Sequence, residues 1–234
     1  MRKALVVSII SLTTGCYFGP PKVPAGWSVS APTSLAPTTA PSQAGRLQII
    51  ICYGRGSSTH ACLRLESPGD APIFWDPGGQ FGIDPYPYHQ RKDGLVVEPI
   101  PTLSQYWDFR TGYQAERYME VFEWDLGDTE SRALHDRMTL GEVRTAYPGG
   151  MCAIAVCNFL RQCAPRGARV AHSYLLPHSL AAHLWTQKPD RVWEYVRGTS
   201  PVAYVVSTPP GPPPPPANVV SAPLATSGAV GQGE

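Results

Sequence analysis

The chain has 234 residues, and its 19 Lys and Arg nearly balance its 18 Asp and Glu, giving a formal net charge of +1. No basic stripe with interleaved aromatic residues occurs, which argues against nucleic-acid binding. The segment 46–207, flanked by two low-complexity ends, is long enough for one hydrophobic core.

The N-terminus has the pattern of an export signal. Arg2 and Lys3 precede an apolar segment, residues 4–12, that is too short to span a bilayer. The following Leu-Thr-Thr-Gly-Cys resembles a bacterial lipobox, although Thr13 stands where Leu is usual. We expect residues 1–16 to be a lipoprotein signal peptide with Cys16 as the lipidated residue. An ordinary cleaved signal is the alternative.

Lipidation at this site predicts attachment to the bacterial cell envelope. Several acyl chains anchor a protein stably where a single chain does not. The residue after the cysteine is Tyr17 rather than the Asp that retains lipoproteins in the inner membrane of enteric bacteria. We therefore expect the outer membrane in a cell that has two.

Low-complexity sequence flanks the predicted domain. Residues 17–45 are rich in Pro, Ser, Thr and Ala, which predicts a disordered tether. Residues 208–234 begin with a proline run typical of polyproline II and continue as predicted disorder. The tail serves as a spacer or, alternatively, as a docking segment for a protein partner.

Hydrophobic patterning between these ends predicts an α+β domain, with a mostly antiparallel sheet packed against helices. Strands are predicted at 46–53, 59–66, 71–76, 118–126, 192–197 and 202–207. Helices are predicted at 102–109, 128–140, 152–163 and 177–187, and residues 82–94 are predicted to be a surface loop.

Three separated residues have the chemistry of a cysteine nucleophile. Cys152 opens an apolar helix after Gly149-Gly150, a position that lowers a thiol pKa and offers backbone N–H groups to an oxyanion. His60 begins one predicted strand and Asp76 ends the next, so an antiparallel pairing brings them together. In this arrangement His60 is the general base and Asp76 fixes its tautomer. Taken singly, each residue has a structural interpretation, as a buried thiol, a strand histidine and a turn cap.

The remaining cysteines have no clear pairing. Cys52 and Cys62 lie on the two arms of a predicted hairpin, where a disulfide is one option. Cys157 and Cys163 lie on nearly opposite faces of one helix, which excludes a bond between them. No Cys or His spacing resembles a zinc site, so we expect no metal and no cofactor.

Two residues near His60 are candidates for substrate binding. Arg55 lies in a Gly-flanked loop, where its guanidinium is suited to a substrate carboxylate. Tyr53 ends the preceding strand and is expected to line the same cleft.

The order of a strand His, a polar residue on the next strand and a Gly-preceded Cys opening an apolar helix resembles the circularly permuted branch of the NlpC-type, papain-like superfamily. The resemblance spans most of residues 46–185 but rests on few positions. It implies a papain-like fold with Cys152 as nucleophile, His60 as base and Asp76 as orienting residue. Met151 stands where acyltransferase-like members have Asn, which argues against acyl transfer to lipid.

The leading hypothesis is a membrane-tethered hydrolase that cleaves an amide bond, with peptidoglycan stem peptide as substrate. A second hypothesis is a lipid ester or thioester hydrolase, or an acyltransferase, on the same fold. A third is a non-catalytic surface lipoprotein that binds a partner.

Overall fold

The structure is a computed structural model. It describes residues 27–30, 45–54, 59–77, 89–90, 94–98, 100–113, 116–141, 151–164 and 168–206. The predicted signal peptide with Cys16, the Pro-rich tail, Arg55 and Gly149-Gly150 lie outside the described residues.

The described residues form an α+β fold with one antiparallel sheet of nine strands and four helices. The strands are β1 (Trp27–Ser30), β2 (Gly45–Tyr53), β3 (Thr59–Glu66), β4 (Ile73–Trp75), β5 (His89–Gln90), β6 (Leu95–Glu98), β7 (Tyr118–Leu126), β8 (Arg191–Val196) and β9 (Val202–Val206). The helices are α1 (Leu103–Tyr113), α2 (Asp128–Thr139), α3 (Cys152–Gln162) and α4 (Pro177–Thr186). The order across the sheet is β1-β9-β8-β7-β2-β3-β4-β6-β5.

Helices cover both faces of the centre of the sheet. Side chains of β2 and β3 alternate between two buried clusters, because successive strand residues point to opposite faces. Ile49 and Leu63 belong to the cluster beneath α2, α3 and α4, which we call the three-helix face. Ile50 and Cys62 belong to the cluster with Tyr106 of α1, which we call the α1 face. Coverage on both sides explains why β2 is an almost continuous apolar run.

The edge of the sheet differs from the sequence prediction. Trp27–Ser30 falls inside the segment predicted to be a disordered tether, but it forms β1 and pairs antiparallel with β9. The Trp27 ring packs edge-on against Trp185 of α4, with 5.1 Å between ring centroids. A four-residue strand flanked by Pro, Ser and Ala has too weak a pattern to be recognised without its partner. The folded unit therefore begins before residue 46.

The predicted elements otherwise match with small shifts at their ends. Helices α2, α3 and α4 each end one residue earlier than predicted, while α1 continues to Tyr113. The predicted loop 82–94 includes the short strand β5, which pairs with β6. No helix among the described residues is long and apolar enough to cross a bilayer.

Candidate active site

A gap at the edge of β3 creates the site. Strand β4 pairs with β3 at three positions, the last being Leu63 opposite Trp75. The next residue, Asp76, donates its backbone N–H to the Gly94 carbonyl at 2.9 Å, which continues the pairing of β4 with β6 but not with β3. The edge of β3 at His60 and Ala61 is thereby left to another element, and the N-terminus of α3 takes that place.

Cys152, the first residue of α3, places its sulfur against this edge. The sulfur accepts hydrogen bonds from the backbone N–H groups of Ala61 and Ala153, and it also bonds with the His60 side chain. Cys152 is only 5% exposed and begins an apolar helix packed in the three-helix core. The burial of α3 therefore fixes the position of the thiol at the sheet edge.

The His60 ring links the thiol to a carboxylate. Its Nε2 atom forms a short hydrogen bond with Oδ1 of Asp76. His60 is 8% exposed and Asp76 is fully buried. Because Asp76 engages Nε2, the atom left for Cys152 is Nδ1. The structure thus brings the three residues selected from the sequence into one hydrogen-bonded chain.

The environment favours the charged form of His60. Burial alone would lower the pKa of the imidazole, and the Arg110 guanidinium acts in the same direction. The Asp76 carboxylate and the hydrogen bonds to Asp76 and Cys152 outweigh both effects and raise the pKa of His60 from 6.5 to about 9. An imidazolium paired with a buried carboxylate is therefore the expected state near neutral pH.

The same contacts favour the thiolate of Cys152. Burial raises its pKa. This effect is outweighed by the hydrogen bond and charge of His60 and by the two backbone N–H donors, so the net pKa of Cys152 is lowered from 9.0. The pKa of Cys157, on the same helix, is raised by burial. The thiol pKa values of these two cysteines are thus shifted in opposite directions, and of the two only Cys152 is suited to be a nucleophile.

The start of α3 also presents donors to a developing negative charge. The first intrahelical bond runs from the Ala155 N–H to the Met151 carbonyl at 3.1 Å. The N–H groups before Ala155 consequently have no backbone carbonyl to bond inside the helix, and that of Ala153 donates to the Cys152 sulfur. The Cys152 N–H, next to the sulfur, is the candidate oxyanion donor among them.

Gly94 supports Asp76 and was not identified from the sequence. Its φ of +89° is strained for other residues, and an added Cβ would lie 3.0 Å from the Pro77 Cα and 3.1 Å from the Asp76 carbonyl oxygen. A glycine is therefore needed where β6 approaches Asp76. The only sequence signal was the pair Asp93-Gly94 ahead of an apolar run.

Tyr53 belongs to a buried polar network. Its hydroxyl donates to Glu120 of β7, which also accepts from the Trp185 indole N–H at 3.0 Å and the Tyr118 hydroxyl at 3.3 Å. Burial raises the pKa of Glu120 to about 7, although these donors oppose the shift. The Tyr53 hydroxyl is thus committed to Glu120, and its role in substrate binding stays a prediction.

The two hairpin cysteines are both free thiols. Cys52 lies opposite His60, and Cys62 lies opposite Ile50, so the two are diagonal neighbours rather than a directly facing pair. Cys62 instead donates to the Tyr106 hydroxyl at 3.3 Å. Ligand atoms of His60, Cys62 and Asp76 lie within 4.8 Å of one another, a grouping that chain spacing did not reveal.

Comparisons with protein families, characterised proteins and solved structures found no match to this chain. The geometry of the site is therefore the basis for assigning a function.

Proposed function

We propose that the protein is a cell-envelope cysteine hydrolase that cleaves an amide bond, with Cys152 as nucleophile. The observation that carries this proposal is the hydrogen-bonded chain from the Cys152 thiol through His60 to Asp76. Nucleophile, base and orienting carboxylate are the three parts that covalent cysteine catalysis requires.

The reaction uses each group in turn. The Cys152 thiolate attacks the carbonyl carbon, and the N–H groups at the start of α3 stabilise the oxyanion. The His60 imidazolium then donates its Nδ1 proton to the leaving amine as the carbon–nitrogen bond breaks. Neutral His60 takes a proton from the water that hydrolyses the thioester. Asp76 holds the ring by its other nitrogen throughout.

The substrate class follows from where the chain is expected to be. An export signal and a lipidated Cys16 would keep the enzyme at the envelope, and residues 17–26 would connect it to the membrane. Peptidoglycan stem peptides are amide substrates within reach of such an enzyme. We therefore propose stem peptide as the substrate, on a permuted papain-like scaffold.

A second candidate is hydrolysis of a lipid ester or thioester, because Met151 in place of Asn argues against acyl transfer on the same fold. Its support is Met151, which is 42% exposed and immediately precedes the nucleophile. An exposed apolar side chain beside the thiol would suit an acyl chain. Mass spectrometry of envelope lipids from cells with and without the protein tests this candidate, and an unchanged lipid profile would count against it.

The nucleophile is tested with purified protein and isolated sacculi. We expect the wild type to release new amino groups and Cys152→Ala to lower the rate by about 10³-fold or more. Cys157→Ala is the matched control, because Cys157 is fully buried on the same helix and has a raised thiol pKa. Equal activity of Cys152→Ala and wild type would show that the nucleophile is misassigned.

A further inference from the structure

The mechanism leaves one buried thiol beside the catalytic histidine unused. Cys62 follows His60 by two residues on β3 and therefore points to the same face of the sheet. It is fully buried. Asp76 follows Trp75, the last β4 residue paired with β3, and its carboxylate lies within 4.8 Å of the Cys62 sulfur. A thiol thus lies beside both partners of the His60–Asp76 hydrogen bond.

The three side chains offer nitrogen, sulfur and oxygen donors at one point. Their ligand atoms all lie within 4.8 Å of one another. Zinc binds such donors at about 2.0–2.3 Å, so a shared ion needs the ligand atoms to lie about 3.3–3.8 Å apart. Side-chain adjustment of about an ångström accommodates that requirement. We propose that His60, Cys62 and Asp76 form a zinc-binding site, with a fourth position for water.

Charge and donor type both favour zinc at this position. The thiolate and the carboxylate supply two negative charges, which balance the ion in a buried site. The nearby guanidinium of Arg110 is paired with the fully buried Glu116, which offsets part of its repulsion of a cation. A thiolate ligand selects zinc over magnesium and calcium, which prefer oxygen. The Cys62 thiol loses its proton on binding, since only the thiolate is a ligand.

Zinc at this site is incompatible with the catalytic cycle, a consequence that rests on the proposed function. The ion takes Nε2 of His60, so the ring loses its hydrogen bond to Asp76. A neutral, metal-bound imidazole is also a weaker acid than imidazolium and protonates a leaving amine poorly. Zinc therefore acts as a reversible inhibitor that competes for the same histidine.

Binding is measured first, without reference to activity. The full-length chain, freed of metal with a chelator, is titrated with zinc chloride in a calorimeter. We expect one site per chain and a loss of affinity in Cys62→Ser greater than the 10–100-fold typical of second-shell changes. Cys52→Ser is the matched control, because Cys52 is equally buried on the same face of the neighbouring strand. Wild-type affinity in Cys62→Ser, or no binding by the wild type, would overturn the site.

Three further measurements test whether Cys62 supplies the zinc ligand. Cobalt binding to the wild type should give a thiolate charge-transfer band, a readout that does not depend on a variant that folds. Cys152→Ala should keep the site, and loss of zinc binding there would mean that Cys152 supplies the thiolate. Zinc inhibition is compared with each protein's own zinc-free rate. If the wild type binds zinc but hydrolyses nothing, the proposed function fails and the metal site stands.

Discussion

Asp76 illustrates how a single buried residue can control the chemistry of another. Its carboxylate has no exposed surface and bonds to the side of the His60 ring that faces away from Cys152. The ring is thereby held in the orientation that presents Nδ1 to the sulfur. Because burial alone would lower the pKa of His60, the raised value depends on this carboxylate.

Asp76→Asn should therefore impair catalysis more than binding. An amide removes the negative charge that supports the imidazolium, so we expect kcat to fall by about 10²- to 10⁴-fold with a smaller change in KM. Steady-state hydrolysis assays measure both. Asp70→Asn is the control, since Asp70 lies on the β3–β4 turn and accepts from Ser67 at 3.1 Å. An Asp76→Asn enzyme with wild-type kcat would remove Asp76 from the mechanism.

The thiol itself gives a second prediction at this scale. Because the pKa of Cys152 is lowered and that of Cys157 is raised, iodoacetamide should modify Cys152 at a lower pH than Cys157. Peptide mass spectrometry of samples alkylated across a pH series, with a chelator present, gives the rate at each cysteine. In His60→Ala the Cys152 profile should move to higher pH. Identical profiles for the two cysteines would contradict the activated thiol.

At the scale of the elements, strand β7 holds an acid where the pattern calls for an apolar residue. Glu120 lies opposite Ile51 on the three-helix face and is fully buried. Donors on β2, β7 and α4 converge on its carboxylate, so one side chain ties three elements together. Burial raises the pKa of this group from 4.5 to about 7, despite the donors.

Glu120 should make the fold less stable as the pH rises from 4.5 to 7. The folded state holds the proton more tightly than the unfolded chain, so the stabilisation is complete below pH 4.5 and lost as the pH passes 7. The shift corresponds to about 3 kcal/mol. Denaturant unfolding across this range should show a shallower decline for Glu120→Gln than for the wild type. Glu130→Gln is the control and should follow the wild type, because Glu130 is exposed. Parallel curves for all three proteins would show that Glu120 does not cause the pH dependence of stability.

Local sequence patterns predicted most of the helices and strands and the three residues of the candidate site. They do not encode contacts between residues that are distant in the chain. Helix α3 is apolar on nearly all sides, and β7 begins and ends where its apolar pattern does. The predicted hairpin of β3 and β4 already places His60 near Asp76. No local pattern encodes the end of β3–β4 pairing at Trp75 or the backbone bond from Asp76 to Gly94, 18 residues further along the chain. Cys62 likewise becomes a neighbour of Asp76 only in the folded chain.

At the scale of the whole molecule, β1 closes one edge of the sheet with residues far from the core in sequence. Its pairing with β9 and the contact between Trp27 and Trp185 are absent from any chain that begins at residue 45. Burying a large aromatic side chain contributes about 1.5–3 kcal/mol, and an aromatic pair adds to that.

A chain that begins at residue 45 should therefore unfold at lower temperature than one that begins at residue 17. We expect the free energy of unfolding to fall by about 2 kcal/mol or more. Calorimetric melting of the two chains measures the difference, and Trp27→Ala in the longer chain should reproduce much of it. Equal melting temperatures would mean that β1 contributes nothing to the folded unit.

The pairing of β1 with β9 also brings the two ends of the folded unit together. Trp27 lies opposite Val206, so the first residue of β1 and the last residue of β9 lie at the same corner of the sheet. Five strand spacings separate β1 from β3, which carries His60, a distance of about 24 Å across the sheet. A domain attached at that corner, as proposed above, would rotate about it. Under the proposed attachment, the Cys152 thiol would move along an arc while the attachment point stayed fixed.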